Sequence, residues 1–272
     1  MFEHSLMTRL RANYGDHAWV PVSIGHSEAR VWRLEGTLDR FVKVVGPEAG
    51  RQAREGLTRE AAVLAWLAKY DLGAPEVVET GATEDGLGIL VTTAVPGRSA
   101  AEPWPEAQRA AVVDALARFA QRLHALPTEA CPFDRGLSVL LPLAHAQVER
   151  WKAMPGRISA DRPGCSAAKV EETLAKAIAA ASAEEMVVCH GDFMLPNVMI
   201  DPDSLEVSGI VDVGDLGLAD RYRDLAAMSW SLAGGLNPQY GPKFADRFWR
   251  SVTGGAVDQD KAELYALLRE LV

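Results

Sequence analysis

Alternating apolar and polar positions divide the first third of the chain into short strands and one helix. Short runs of β-branched and aromatic residues are separated by Gly25, Gly36 and Gly46, which is typical of strands joined by tight turns. We predict strands at residues 17–20, 29–34, 40–45, 76–78 and 88–93. Apolar residues recur every three or four positions between Leu57 and Leu67 and predict a helix over residues 57–70.

The remaining two thirds of the chain carries mainly helical periodicity. Amphipathic helices are predicted at residues 108–126, 138–154, 166–181, 222–233, 242–251 and 261–271. Apolar runs at residues 186–189, 198–200 and 206–211 interrupt them and predict strands in hairpins. The pattern therefore predicts an α+β fold with two lobes. Residues 1–94 form a small N-terminal lobe with an antiparallel sheet and one helix, and residues 95–272 form a larger, mostly helical lobe.

Composition narrows the class of protein. With 272 residues and 48% apolar content the chain can bury a substantial core. No apolar run reaches the length of a membrane span and the first residues show no signal-peptide pattern, so we expect a cytoplasmic protein without membrane contact. The three widely spaced cysteines fit reduced thiols, and the six scattered histidines show no zinc-binding spacing. A net charge of −9 argues against a nucleic-acid surface and is compatible with a cationic substrate.

A cluster of acids and amides follows the predicted strands of the second lobe. Asp192 precedes Asn197 by five positions, and Asp212 begins an Asp-Val-Gly sequence. In kinase-type phosphoryl transfer, this pattern supplies an Asp that orients the acceptor hydroxyl, and an Asn and a later Asp that hold Mg²⁺ at the phosphates. Mg²⁺ prefers such oxygen ligands. We therefore predict Asp192 as a catalytic residue and Asn197 and Asp212 as metal ligands.

Lys43 lies inside an apolar strand, where a charge needs a partner or a ligand. We expect Glu60, in the following helix, to pair with it so that Lys43 binds nucleotide phosphates. The alternative is a lysine on an edge strand that faces water, beside a solvated glutamate. The motif around Asp192 favours the functional pair.

Two further segments are candidates for nucleotide binding. Ser27 lies between the first two predicted strands, where its hydroxyl and the nearby N–H groups would meet phosphates, although an ordinary hairpin turn explains the segment equally well. The backbone of Thr93, Ala94 and Val95 is expected to contact a purine ring, which leaves ATP and GTP as alternatives. No Walker A sequence occurs in the chain, which disfavours P-loop kinases.

The segments 123–127, 131–135, 190–197, 212–214 and 220–226 together resemble the aminoglycoside phosphotransferase family. The resemblance covers most of the chain and implies a protein-kinase-like fold, ATP or GTP with Mg²⁺, and a small cationic aminoglycoside as substrate. It also implies that Asp220 and Asp224 stabilise the framework of the site. The sequence does not indicate an oligomeric state. Segment 186–192 and the chain length most resemble the streptomycin 3''-phosphotransferases, with the kanamycin and neomycin 3'-phosphotransferases nearly as similar.

Other functions remain as alternatives. Related kinases of choline, homoserine or macrolides share these motifs. A pseudokinase would be expected to lack at least one of four residues, all of which are present: Lys43, Asp192, Asn197 and Asp212. A protein kinase is disfavoured because Gly191 stands where those enzymes usually carry arginine. Candidate acids for a cationic substrate are Glu171, Glu172 and the C-terminal segment 270–272, although each is explained more readily as a solvated acid on a helix face.

Overall fold

A computed structural model of the chain describes residues 10, 12–22, 29–82, 86–153, 166–180, 183–234 and 237–272. The chain divides into two compact units, one within residues 1–97 and 208–214 and the other within residues 98–207 and 215–272. The segment 208–214 therefore belongs to the first unit, although a division at residue 94 assigns it to the second.

The first unit is built on an antiparallel sheet of five strands. They are β1 (Ala18–Val22), β2 (Arg30–Glu35), β3 (Arg40–Val45), β4 (Val77–Ala82) and β5 (Gly88–Thr93), in the spatial order β1-β2-β3-β5-β4. Strand β3 is central, since Val42 pairs with Trp32 on one side and with Val91 on the other. Val42 is fully buried in an apolar cluster that also contains Leu10, Tyr14 and Leu34.

Helix α1 (Gly50–Leu67) packs against β3, β4 and β5. It begins at Gly50 rather than at the predicted residue 57, because its first two turns are polar and show no apolar period. Side chains alternate along a strand, so Lys43 points away from the cluster around Val42 and toward α1. The alternation of β3 and the position of α1 together place Lys43 beside the helix that carries Glu60.

The second unit is mainly helical. Its helices are α2 (Glu106–His124), α3 (Leu137–Ala153), α4 (Ala167–Ala180), α5 (Tyr222–Ala233), α6 (Pro242–Thr253) and α7 (Gln259–Leu271). Helices α3, α4, α5 and α7 share one apolar core, in which Leu140, Leu174 and Leu264 are among the most deeply buried side chains. The predicted α+β fold is confirmed, with the antiparallel sheet in the N-terminal part and the helices after it.

Short strands accompany these helices. They are β6 (Arg98–Ser99), β7 (Met186–Cys189), β8 (Val198–Ile200) and β10 (Gly217–Asp220). Strand β9 (Val207–Ile210) begins at the last residue before the segment 208–214 of the first unit and lies mostly within that segment. Strand β7 pairs antiparallel with β10, and β6 with β8. The apolar pattern missed β6 and β10 because the first has two residues and the second has no β-branched side chain.

Among the described residues, none of the helices has the length and apolar content that a membrane span requires. Cys131 and Cys189 are buried free thiols, and Cys165 lies outside the described residues.

Candidate active site

Three charged side chains of the first unit meet at one point. The Lys43 Nζ donates to both carboxylate oxygens of Glu60, at 2.7 and 2.9 Å, and to Asp212 Oδ1 at 2.8 Å. The Glu60 side chain is 8% exposed and the Asp212 side chain 56% exposed. Burial by itself lowers the pKa of Lys43, but the two carboxylates outweigh it and hold that pKa above its ordinary value. Lys43 is thus a charged residue on a central strand with two acidic partners, and the edge-strand alternative does not hold.

The backbone at Asp212 adopts an uncommon conformation. Its φ is 60°, in the left-handed region, which Asp and Asn enter more readily than other residues with side chains. Two residues further on, the carbonyl of Gly214 accepts a hydrogen bond of 2.7 Å from Arg59 Nε on α1. Helix α1 therefore contacts the Asp212–Gly214 segment directly through Arg59, while Glu60 contacts Lys43, the partner of Asp212.

Asp192 and Asn197 lie in the second unit, in the loop that follows β7. A single turn of 3₁₀-helix, Leu195–Asn197, brings the two side chains together. The Asn197 amide donates to the Asp192 backbone carbonyl at 2.9 Å and to Asp192 Oδ2 at 2.8 Å. Both bonds use the amide nitrogen, so the orientation of the Asn197 side chain is fixed and its carbonyl oxygen, the atom a metal would use, points away from Asp192.

The Asp224 carboxylate holds the start of this loop. It is fully buried on α5 and accepts the backbone N–H of His190 at 2.8 Å and that of Gly191 at 2.9 Å. Its Oδ2 also lies 3.0 Å from Nε2 of His124, at the end of α2. Burial alone raises the pKa of Asp224, but the hydrogen bond and charge of His124, together with the Gly191 amide, lower it overall.

Gly191 is required by the shape of the loop. Its φ is +89°, and a Cβ at this position would lie 2.2 Å from the carbonyl oxygen of Asp215. An L-residue is disfavoured at this φ, and the contact is with backbone, which cannot rotate away. The residue that distinguishes this loop from that of protein kinases is therefore fixed by close packing against Asp215.

The His190 ring stabilises the loop internally. It is fully buried, and its Nδ1 accepts the backbone N–H of Asp192 at 3.2 Å. Because Nδ1 is an acceptor, the neutral ring carries its proton on Nε2. The ring also lies beside Phe193, with 6.1 Å between centroids. His190 thus fixes the backbone of the residue that we predict to be catalytic.

Asp215 and Asp220 each form an ion pair with a buried basic residue. Asp215 Oδ1 accepts from the buried Arg135 at 2.8 Å. Asp220 is fully buried and accepts from Lys261 Nζ at 2.6 Å, while Arg221 pairs with Glu185. Helical periodicity gave no sign of Lys261, since a lysine on an amphipathic helix is usually solvated.

The nucleotide-binding candidates have different surroundings. Ser27 lies outside the described residues. The N–H of Thr93 donates to Glu76 O and that of Ala94 to Asp39 O, at 2.9 and 3.0 Å. Both N–H groups are thus used within the protein. For the N–H of Val95, the described residues provide no such partner, so Val95 is the candidate of the three whose amide is available for a ligand.

The acids suggested for the substrate are partnered at the surface of the second unit. Glu171 pairs with Lys152 at 2.7 Å, and this contact is the main cause of its lowered pKa. Glu172 lies close to Lys169 and Lys176. These contacts explain Glu171 and Glu172 as solvated helix-face acids. Glu270, which is 33% exposed beside Arg269, and Val272, which is 48% exposed, lie at the end of the chain.

An antiparallel sheet with one packed helix, a Lys–Glu–Asp ion cluster and an Asp–Asn loop define a kinase-type phosphotransferase. The chain belongs to the phosphotransferase enzyme family, whose model matches residues 18–266. It is accordingly an ATP-dependent phosphotransferase with an alcohol group as acceptor.

Curated relatives carry more specific names. The chain is 39% identical to an aminoglycoside 3'-phosphotransferase of Streptomyces ribosidificus over 262 residues, which covers 96% of this chain and 98% of the relative. It is 34% identical to a streptomycin 3''-kinase of Streptomyces griseus, over 93% of this chain and 92% of the relative.

The chain also resembles solved structures of aminoglycoside phosphotransferases. The chain superposes on an aminoglycoside-3'-phosphotransferase of type VIII with a TM-score of 0.83 and 40% identity, covering 98% of this chain and 97% of the other. It also superposes on APH(3'')-Id of Streptomyces rimosus in complex with ADP and streptomycin, with a TM-score of 0.80 and 29% identity. That match covers 100% of this chain and 98% of the other. The expected resemblance to aminoglycoside phosphotransferases and the protein-kinase-like fold are both confirmed.

Proposed function

We propose that this enzyme transfers the γ-phosphate of ATP to the 3'-hydroxyl of an aminoglycoside of the kanamycin or neomycin type and thereby inactivates the antibiotic. The observation that carries this choice is the order of the relatives. Identity is 39% to a 3'-phosphotransferase and 34% to a streptomycin 3''-kinase. Streptomycin phosphorylation at the 3'' position, which segment 186–192 favours, is the second candidate. Its support is the match to a structure that holds ADP and streptomycin.

Lys43 is the proposed ligand for the nucleotide phosphates. Glu60 binds it through two hydrogen bonds of 2.7 and 2.9 Å, so the ammonium group is held in one place before the nucleotide arrives. A charged group whose position is already fixed loses less conformational freedom on binding. We expect the Val95 N–H to contact the purine, and Ser27 to contribute at the phosphates. Residues 1–94 then form the nucleotide-binding lobe, and residues 95–272 the catalytic and substrate-binding lobe.

Asn197 and Asp212 are the proposed Mg²⁺ ligands. The donor set fits this ion, because one carboxylate and one amide oxygen are hard ligands and Mg²⁺ takes few protein groups beside phosphate. Asn197 uses its amide nitrogen on Asp192, which directs its oxygen elsewhere, and the Asp212 side chain is 56% exposed and accessible to a hydrated ion. When bound, the ion neutralises charge on the phosphates.

Asp192 is the proposed catalytic residue. The carboxylate is positioned by the Asn197 amide and its backbone N–H by His190, so both ends of the residue are fixed. A carboxylate held in this way accepts the hydrogen of the substrate hydroxyl and aligns its oxygen for in-line attack. We expect the reaction in the cytoplasm, where ATP is available. The net charge of −9 favours the approach of a polycationic substrate.

Growth of a susceptible host tests the proposal and separates the two candidates. Cells that express the chain are plated on kanamycin and on streptomycin, beside cells that express Asp192→Ala as the inactive control. We expect growth on kanamycin with the unchanged chain alone. Growth on streptomycin alone would establish the second candidate, and sensitivity to both antibiotics with soluble protein present would contradict the proposal.

A further inference from the structure

His124 lies at the end of α2, far along the chain from the residues to which phosphoryl transfer is assigned. Its side chain is 5% exposed, and its Nε2 lies 3.0 Å from Oδ2 of the fully buried Asp224. Asp224 accepts the backbone N–H groups of His190 and Gly191 at 2.8 and 2.9 Å, as a carboxylate does, and we therefore assign the proton of His124 to Nε2, which donates to Oδ2. The imidazole therefore contributes a third donor to the carboxylate that holds the His190 and Gly191 amides.

The contact with His124 fixes the rotation of the Asp224 carboxylate about its terminal side-chain torsion. Oδ2 accepts from His124 and from the His190 N–H, while Oδ1 accepts from the Gly191 N–H. A carboxylate rotates readily about its terminal torsion. Two amides from adjacent residues of one loop can shift together with it, whereas His124 belongs to a different element, the helix α2, in which the neighbouring Ala120 and Leu123 are also buried. His124 thus ties the carboxylate, and through it the loop, to helix α2.

The loop transmits this constraint to the proposed catalytic carboxylate. The His190 ring accepts the Asp192 N–H, and Asn197 donates to the Asp192 side chain. The path from His124 to Asp192 consists of hydrogen bonds between 2.8 and 3.2 Å, through Asp224 and the backbone at His190. The rate of an enzyme reaction depends on the alignment of the reacting groups, and a displacement of about 1 Å can cost about 100-fold.

The hydrogen bonds of His124, Cys189 and Asp224 argue against a metal site formed by these three residues. The Cys189 sulfur lies near His124 and Asp224, with one possible ligand atom of each within 4.8 Å of the others. Burial raises the pKa of the Cys189 thiol well above its ordinary value, and its sulfur lies 3.3 Å from the Asp220 carbonyl oxygen, to which it donates. A protonated thiol that donates to a carbonyl is not a metal ligand.

We propose that His124 is a positioning residue for phosphoryl transfer, whose Nε2–H holds Asp224 and thereby fixes the loop that presents Asp192. This inference rests on the proposed role of Asp192. It predicts a specific kinetic result: loss of the donor lowers kcat and leaves the KM values for nucleotide and aminoglycoside nearly unchanged, because the hydrogen bond of His124 is made to Asp224, which holds the loop of the catalytic residue.

Two substitutions of similar shape isolate the donor. His124→Gln keeps an N–H group near the position of Nε2, and His124→Met removes it, so the loss of ring packing is common to both variants. His145→Met, on the exposed face of α3, is the control for the loss of a histidine elsewhere. We expect kcat of the Met variant to lie about tenfold or more below that of the Gln variant, as for the loss of a hydrogen bond to a charged group. The control should match the unchanged enzyme.

The outcomes are distinct. Equal kcat values for folded Gln and Met variants would overturn the inference, as would a loss seen only in KM. If the unchanged enzyme phosphorylates no aminoglycoside, the proposed function fails. If Asp192→Ala, assayed in parallel, retains full turnover, the proposed role of Asp192 fails; if it is inactive while Gln and Met agree, only the role of His124 fails. Should the Met variant not fold, ¹⁵N NMR of the imidazoles in the unchanged protein decides the question, because an Nε2 of His124 without a proton overturns the proposal.

Discussion

Replacement of Glu60 by Gln tests whether the ion pair on α1 prepares Lys43 for nucleotide binding. The substitution keeps the size of the side chain and one acceptor oxygen, and removes the negative charge. Lys43 then keeps Asp212, 2.8 Å away, as its remaining acidic partner. We expect Lys43 to leave its position beside α1 in favour of Asp212, so that the ammonium group must be moved back when a nucleotide binds.

The magnitude follows from the burial of the pair. Glu60 is 8% and Lys43 19% exposed, and the two hydrogen bonds between them are charge-assisted. A hydrogen bond to a charged group contributes about 1.5–3 kcal/mol. One of the two bonds is kept by the Gln oxygen and Asp212 compensates in part, so we take about 2 kcal/mol, which corresponds to about a 30-fold loss in kcat/KM for ATP.

Steady-state kinetics with ATP varied at saturating aminoglycoside measures this loss. Glu55→Gln is the matched control, because Glu55 lies on the same helix and forms an exposed ion pair with Arg51. Surface pairs of this kind contribute little, and we expect kcat/KM within about twofold of the unchanged enzyme. A Glu60→Gln variant that also stays within about twofold would refute the argument that the Lys43–Glu60 pair prepares the phosphate site.

Three further results are expected. Asp212→Asn and Asp212→Ala should both lose activity. Only the Ala variant should add about 1 kcal/mol of backbone strain at φ 60°, which would lower its midpoint of thermal unfolding below that of the Asn variant. Equal midpoints would contradict this. Gly191→Ala should lower the free energy of unfolding by about 3 kcal/mol in urea titrations, whereas Gly56→Ala, in an open position on α1, should raise it by about 1 kcal/mol. Because the folded pKa of Asp224 lies below 3.8, its stabilising contribution is present above pH 3.8 and is lost as the pH falls through the folded value. Urea titrations across this range should show a smaller acid-dependent loss for Asp224→Asn, and an unchanged slope would refute the assignment.

The sequence predicted the local features that depend on short-range pattern. Strand β3 and the pairing of Lys43 with Glu60 followed from a charge in an apolar run and an acid in the next helix, and the structure contains that ion pair. The start of α1 at Gly50 was not predicted, because the polar residues of its first two turns show no helical spacing of apolar side chains. The spacing of Asp192 and Asn197 was informative because both belong to one short loop.

Long-range partners were beyond the reach of sequence pattern. His124 lies on an apolar helix and its partner is Asp224, 100 positions away along the chain. The Gly191 position was noted as a difference from protein kinases, and its physical cause, the contact with Asp215, depends on a chain segment that folds back onto the loop. Such pairings depend on tertiary packing, which residue spacing does not encode.

The most direct test of the central claim is the structure of the product. The purified enzyme is incubated with ATP, Mg²⁺ and kanamycin, and in parallel with streptomycin, and the products are examined by ³¹P and ¹H NMR. The account predicts a single phosphomonoester on the 3'-hydroxyl of kanamycin, formed by the unchanged enzyme and not by Asp192→Ala. ATP-dependent product on neither aminoglycoside, or equal product with Asp192→Ala, would contradict it.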